Sequence, residues 1–87
     1  MAQRFAYFYF MSDEPQRVRA TAPLHAAYWR DLQPANYEGG PFDDRSGGLI
    51  TFTAADVDEA EAAVLSDPFL TEGLLAERWL KRWEPKG

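Results

Sequence analysis

The sequence predicts an α+β fold: a four-stranded antiparallel sheet with two helices on one face, in the order β-α-β-β-α-β. Three observations predict it. The chain opens on an aromatic run of strand composition. Two segments of helical spacing follow, each introduced by cap signals. Between them lie two short extended segments joined by a polar, glycine-rich turn. There is no internal repeat and no linker, so residues 1–87 are expected to form a single domain.

Phe5 to Met11 reads as the first strand, with Phe8 and Phe10 on one side and Tyr7 and Tyr9 on the other. Aromatics on both faces suggest either a strand covered on both sides, by helices on one and by other packing, such as a second subunit, on the other, or a simple central strand with its tyrosine hydroxyls at a wet edge. Asp13 and Gln16 have the spacing of a capping box, and Pro15 suits a first helical turn. Thr21 and Pro23 form a second start signal, where the helix is expected to restart or kink. From Leu24 the spacing is helical. Leu24, Ala27, Tyr28 and Leu32 form an apolar stripe, with His25 and Trp29 as an i, i+4 pair on its flank, and Pro34 ends the helix.

Tyr37 to Phe42, with Gly39-Gly40-Pro41, reads as a short irregular strand. The polar loop Asp43 to Gly48 suits a hairpin, and Leu49 to Thr53 is a strand with Ile50 and Phe52 on one face. Asp56 and Glu59 make a capping box for the next helix. Its expected buried stripe is Val57, Ala60, Ala63 and Val64, with Asp58, Glu59 and Glu61 facing water. Ser66-Asp67-Pro68 interrupts that helix. Phe69 to Gly73 adds one turn, and Leu75 to Trp83 is the last strand, before a tail, Glu84 to Gly87, expected to fray.

Composition narrows the functions. The chain is 46% hydrophobic and 15% aromatic, more aromatic surface than a small monomer readily hides, which favours a homodimer. Without cysteine there is no disulfide or thiolate chemistry, and with one histidine no imidazole-rich metal site; no metal or cofactor is expected. Fourteen acidic against nine basic residues, a net charge of −5, argue against nucleic acid as the main partner. No apolar run reaches the length of about 18 residues that a membrane span needs. The N-terminal run from Met1 to Phe10 lacks a signal-peptide cleavage pattern, so a cytoplasmic protein without a membrane partner is expected.

His25 is the sole histidine, the side chain whose unperturbed pKa suits proton transfer near neutrality. Its candidate partner is Asp67. A carboxylate accepting from one ring nitrogen fixes the tautomer and leaves the other nitrogen as a base. The alternative for His25 is packing on Trp29; for Asp67, which directly precedes Pro68, it is a helix N-cap, and one carboxylate can do both. Tyr7, Tyr9, Tyr28 and Trp29 are candidates to line a site for a flat, conjugated small molecule, with core and dimer packing as the alternative. Arg17, Arg19 and Arg45 could bind an anionic substrate or be plain surface charge, and Arg19 is the one nearest the site in sequence. Ser66, Asp43 and Asp44 read as turn and solvated residues.

These residues also carry a family resemblance. An aromatic first strand, a helix with Leu24-His25-Ala26-Ala27-Tyr28, then Gly40-Pro41, then Asp67-Pro68-Phe69-Leu70-Thr71-Glu72-Gly73 follow in the order of a YCII-related (YciI-like) protein. The resemblance spans the whole chain and implies a ferredoxin-like domain of the dimeric α+β barrel group. It also implies a site centred on a His/Asp pair, here His25 and Asp67. Some members of the family are dehydrochlorinases of chlorinated hydroxyquinols. Many carry an arginine shortly before the histidine, where this chain has Ala22 and Pro23. The expected function is a small cofactor-independent lyase or isomerase using this pair for acid-base chemistry on an aromatic or conjugated molecule. The alternative is a non-catalytic binding or accessory dimerisation module, in which His25 and Asp67 would lie too far apart to hydrogen-bond.

Overall fold

The computed structural model describes residues 2–86; Met1 and Gly87 lie outside the described residues. The elements follow as β1 (Gln3–Met11), α1 (Pro15–Leu32), β2 (Ala35–Pro41), β3 (Gly47–Ala54), α2 (Val57–Leu65), α3 (Pro68–Thr71) and β4 (Leu75–Arg82). The sheet order is β2-β3-β1-β4, with every neighbouring pair antiparallel. This is the ferredoxin-like arrangement that the element order predicts. Glu84 to Lys86 carry no regular structure.

The strand period of two divides β1 between two environments. Phe5, Tyr7 and Tyr9 point to the helices and are buried. They share that face with Ile50, Phe52 and Ala54 of β3, in a register that sets Phe5 opposite Phe52 and Tyr7 opposite Ile50. Trp29 of α1, Ala60 and Val64 of α2, Phe69 of α3 and Leu74 complete the core. Full burial of a side chain such as Ile50 or Val64 contributes about 1.5–3 kcal/mol. On the opposite face no element among the described residues covers the sheet. There Phe8 stacks on Trp79 at 5.4 Å between ring centres, and Phe10 stacks on Phe42 at 5.8 Å.

Helix α1 departs from expectation in three ways. The Asp13–Gln16 capping box does not form: Pro15 takes the first helical position, which makes Glu14 the N-cap residue, with no side-chain cap. Glu14 bonds instead to Arg17 at 2.8 Å, and that hydrogen bond holds its carboxyl below the usual range. Secondly, the helix runs unbroken through Pro23. Pro23 is exposed, so its ring and the missing N–H fall on the solvent side, while packing on the inner side holds both halves in line. Thirdly, the buried stripe is not Leu24, Ala27, Tyr28 and Leu32. Leu24 is 60% exposed and Leu32 is also exposed. The inner face runs through Val18, Thr21, Ala22, His25 and Trp29, so the pair assigned to the flank sits at the centre. Gln33, in the left-handed region at φ 47°, closes the helix by donating its N–H to the Trp29 carbonyl before Pro34.

In α2 the capping box forms, with the Asp56 carboxylate accepting from the Glu59 N–H at 2.9 Å and Glu59 accepting from the Ala55 N–H at 3.1 Å. Ala60, Ala63 and Val64 face inward, but Val57, at the first helical position, is 56% exposed. Glu61 is half-buried rather than solvated, 3.8 Å from Arg78 of β4.

The start of β3 packs tightly on β1. A Cβ at Gly47 would collide with the Tyr9 carbonyl oxygen, whereas one at Gly40 meets open space. Gly47→Ala is therefore expected to lower stability by more than about 2 kcal/mol, and Gly40→Ala to change it by less than about 0.5 kcal/mol, in urea unfolding followed by circular dichroism.

Candidate active site

Asp67 caps α3, as Asp before Pro commonly does: its Oδ1 accepts the Phe69 N–H at 2.9 Å. The same carboxylate is fully buried and has further donors from α1. His25 Nδ1 lies 2.8 Å from Oδ1 and 2.9 Å from Oδ2, and the Trp29 indole N–H donates to Oδ2 at 3.0 Å. Three donors and no acceptor surround it, the pattern of an acceptor-only carboxylate. His25 and Trp29 reach it together because residues four apart on a helix share a face.

With Nδ1–H given to Asp67, Nε2 carries the lone pair. The Tyr9 hydroxyl lies 3.2 Å from Nε2 and is placed to donate to it. Tyr9 is held protonated: burial, then the negative charge of Asp67, pushes its phenol well above the ordinary range, and the same causes act on Tyr7. Phe69 stacks on the imidazole at 4.2 Å between centres, and Tyr9 meets it edge-on at 5.7 Å. The His25 side chain is 14% exposed, so the ring is gripped but still reachable.

His25 opens on a cavity of about 1050 Å³ between α1, β2 and the β2–β3 hairpin. Tyr9, Trp29, Tyr37 and Phe69 supply its aromatic wall. Of the expected substrate-contacting residues, Tyr9, Arg19 and Trp29 line it. Tyr7 does not: it lies beneath, 5.2 Å from the Tyr9 ring, and its buried hydroxyl has no partner among the described residues. Tyr28 turns to the other side of α1, where its hydroxyl donates to the Ala63 carbonyl beside a separate hollow of about 550 Å³. Arg45, weighed with Arg17 and Arg19 as a possible anion-binding cation, also lines it, whereas Arg17 does not. Two contributors were not singled out in the sequence: Phe69 follows Asp67 by two residues, so the Asp-Pro-aromatic pattern was its signal, and Tyr37 had none beyond residue type. Among the described residues no three His, Cys, Asp or Glu side chains gather as a metal site.

The fold and this arrangement define a small α+β protein with a hydrogen-bonded His/Asp pair beside an aromatic-walled cavity. The YCII-related domain family matches residues 5–84, and the chain belongs to that family. Among solved structures it is similar to 5-chloro-2-hydroxyhydroquinone dehydrochlorinase (TftG) from Burkholderia phenoliruptrix AC1100, in complex with 2,5-dihydroxybenzoquinone. The two are 26% identical over 93% of each chain, with a TM-score of 0.80. No curated protein matches the chain. No described helix is long and apolar enough to cross a membrane.

The buried phenols give a pH prediction. The unfolded chain releases tyrosine protons near pH 10, whereas folded Tyr7 and Tyr9 retain theirs. Their contribution to stability is full below that pH and falls as the pH rises above it. Urea midpoints are expected to decline there, with the absorbance of the Tyr7 and Tyr9 phenolates appearing only on unfolding. Flat midpoints and early ionisation would contradict the burial argument.

Proposed function

We propose that this protein is a small enzyme of lyase or isomerase type, in which His25 moves a proton on a small aromatic or conjugated molecule and Asp67 orients it. The observation that carries the reading is the series Tyr9, His25, Asp67, joined at 3.2 and 2.8 Å and ending at an aromatic-walled cavity. Asp67 holds the ring with Nε2 toward the cavity. Substrate entering there replaces the Tyr9 hydroxyl at Nε2 and gives up a proton from an acidic O–H or C–H. The electron pair left behind moves into the conjugated system. It then expels a leaving group, or it is quenched when His25 returns the proton at another carbon.

The dehydrochlorinase relative supports this reading. Its reaction type is a loss of a small molecule from a ring, and its bound ligand is a flat conjugated ring. The cavity here is at the upper end of the usual ligand range of about 300–1,000 Å³. We also propose that the chain is a homodimer, because the aromatic sheet face carrying Phe8 and Trp79 is left uncovered. Phe8→Glu is expected to shift the mass measured by light scattering from dimer to monomer. A parent protein that runs as a monomer overturns that part.

A second reading, a binding or accessory module, expects His25 and Asp67 too far apart to hydrogen-bond, and their 2.8 Å contact counts against it; in its favour stands the engagement of Nε2 with Tyr9 in the resting site. Turnover distinguishes the two. With a chlorinated hydroxyquinol as substrate and chloride release as readout, His25→Ala is expected to lower the rate by about 10²–10⁴-fold with an unchanged amide spectrum. Asp67→Asn is expected to switch neutral His25 to the Nε2–H tautomer in nitrogen-15 spectra and to reduce the rate. Full activity in His25→Ala overturns the assignment of the base. Binding of the hydroxyquinol without chloride release favours the module.

A further inference from the structure

The charge on the cavity wall runs against the charge of the chain. The protein carries a net charge of −5, yet its cavity is lined by three guanidinium groups, Arg19, Arg30 and Arg45, and one carboxylate, Asp13. Outside the cavity Arg17 pairs with Glu14 at 2.8 Å and Arg78 lies 3.8 Å from Glu61, while Arg4 packs over the Trp83 ring and Arg82 has no carboxylate partner among the described residues. Arg30 reaches only its neighbour Asp31, at 3.5 Å and in solvent. Arg19 and Arg45 have no carboxylate partner among the described residues, although the chain has fourteen acidic side chains.

The arginines come from two walls. Arg19 and Arg30 lie on α1, six residues before and five after His25, or about 9 and 7.5 Å along the helix axis at 1.5 Å per residue. Arg45 comes from the hairpin. It sits in the left-handed region at φ 63°, which costs a non-glycine residue about 1–2 kcal/mol. Its turn is nevertheless tied down: the Arg45 N–H donates to the Phe42 carbonyl at 3.0 Å, and Asp44 accepts from the Ser46 N–H at 3.0 Å and from its hydroxyl at 2.6 Å. A guanidinium presents a planar fork that suits a carboxylate or enolate, and unpaired cations around a partly enclosed, apolar wall raise the local concentration of anions.

We propose that this cavity selects conjugated molecules bearing an anionic group, a ring carboxylate or an enolate, which Arg19 and Arg45 hold from two walls while the ring lies against Tyr37, itself stacked on the buried Trp29. The inference rests on the reading of His25 as the proton-transfer group and names its substrate class. It also gives the arginines a role in the reaction. Removing a proton from the bound molecule adds negative charge beside them, and charge that develops in the transition state is stabilised by cations already in place.

The test compares 2,5-dihydroxybenzoate with neutral hydroquinone, following the His25 ring signals by NMR. At low salt the carboxylate is expected to bind at least about tenfold more tightly, equivalent to about 1.4 kcal/mol, with the preference shrinking as salt is added. The double variant Arg19→Gln, Arg45→Gln is expected to lose that preference while binding hydroquinone as the parent does. Equal affinity for the two probes in the parent, with His25 signals moving, overturns the charge selection and leaves the His25 reading standing. His25 signals that neither probe moves overturn both. A double variant that loses both ligands equally also overturns the proposal, because its arginines would then support the cavity and not the anion.

Discussion

The Asp67 carboxylate is the constraint on which both fold and site depend. An ionised carboxylate taken from water without partners is among the most costly groups a protein can bury. Here the penalty is offset by donors from three places: the Phe69 amide in its own turn, the Trp29 indole and the His25 ring. The last two lie on α1, some forty residues earlier, so the carboxylate fastens α1 to the junction of α2 and α3. Each oxygen has two donors, Oδ1 from Phe69 and His25 and Oδ2 from Trp29 and His25, and a hydrogen bond to a charged group typically contributes about 1.5–3 kcal/mol. The group that organises the imidazole thus also ties the helices of that layer to one another.

From Asp67 outward the hydrogen bonds run in one direction. The carboxylate accepts the Nδ1–H hydrogen bond, Nε2 is left as acceptor, and a phenol kept neutral by burial faces it. The sheet contributes through glycine. A Cβ at Gly48 would lie 2.5 Å from the Tyr9 hydroxyl oxygen, so the absence of a side chain there makes room for the phenol beside His25. Backbone spacing in β3 and proton placement in α1 are therefore linked through one tyrosine.

Much of this was legible in the sequence because it is local. Strand parity in β1 and β3, the capping box of α2 and the Asp67 cap of α3 each depend on residues a few positions apart, and each formed. The inner face of α1 was not legible. Hydrophobicity favoured Leu24 and Leu32, while the buried stripe includes Thr21 and His25, polar residues that look solvated until their surroundings are known. His25 is drawn inward by a carboxylate 42 residues away, a contact invisible to periodicity. For the same reason His25 and Asp67 were recognisable as candidates, while the separation of Tyr7 and Tyr28 from the cavity was not: which side of a wall an aromatic ring faces is decided by tertiary packing.

The rims of the sheet have a consequence for how copies of this protein behave when crowded. A bare strand edge is a template for uncontrolled pairing, and natural sheets blunt it with proline, charge and irregularity. Strand β2, exposed throughout, carries Glu38 and closes on Pro41, and its register with β3 slips between Ala35 and Glu38. At the other rim β4 carries Glu77, Arg78, Lys81 and Arg82, and its pairing with β1 is irregular at Phe10 and Met11. Both rims thus carry features that discourage the edge-on addition of further strands that leads to fibrils, which keeps the sheet of an aromatic-rich chain at four strands.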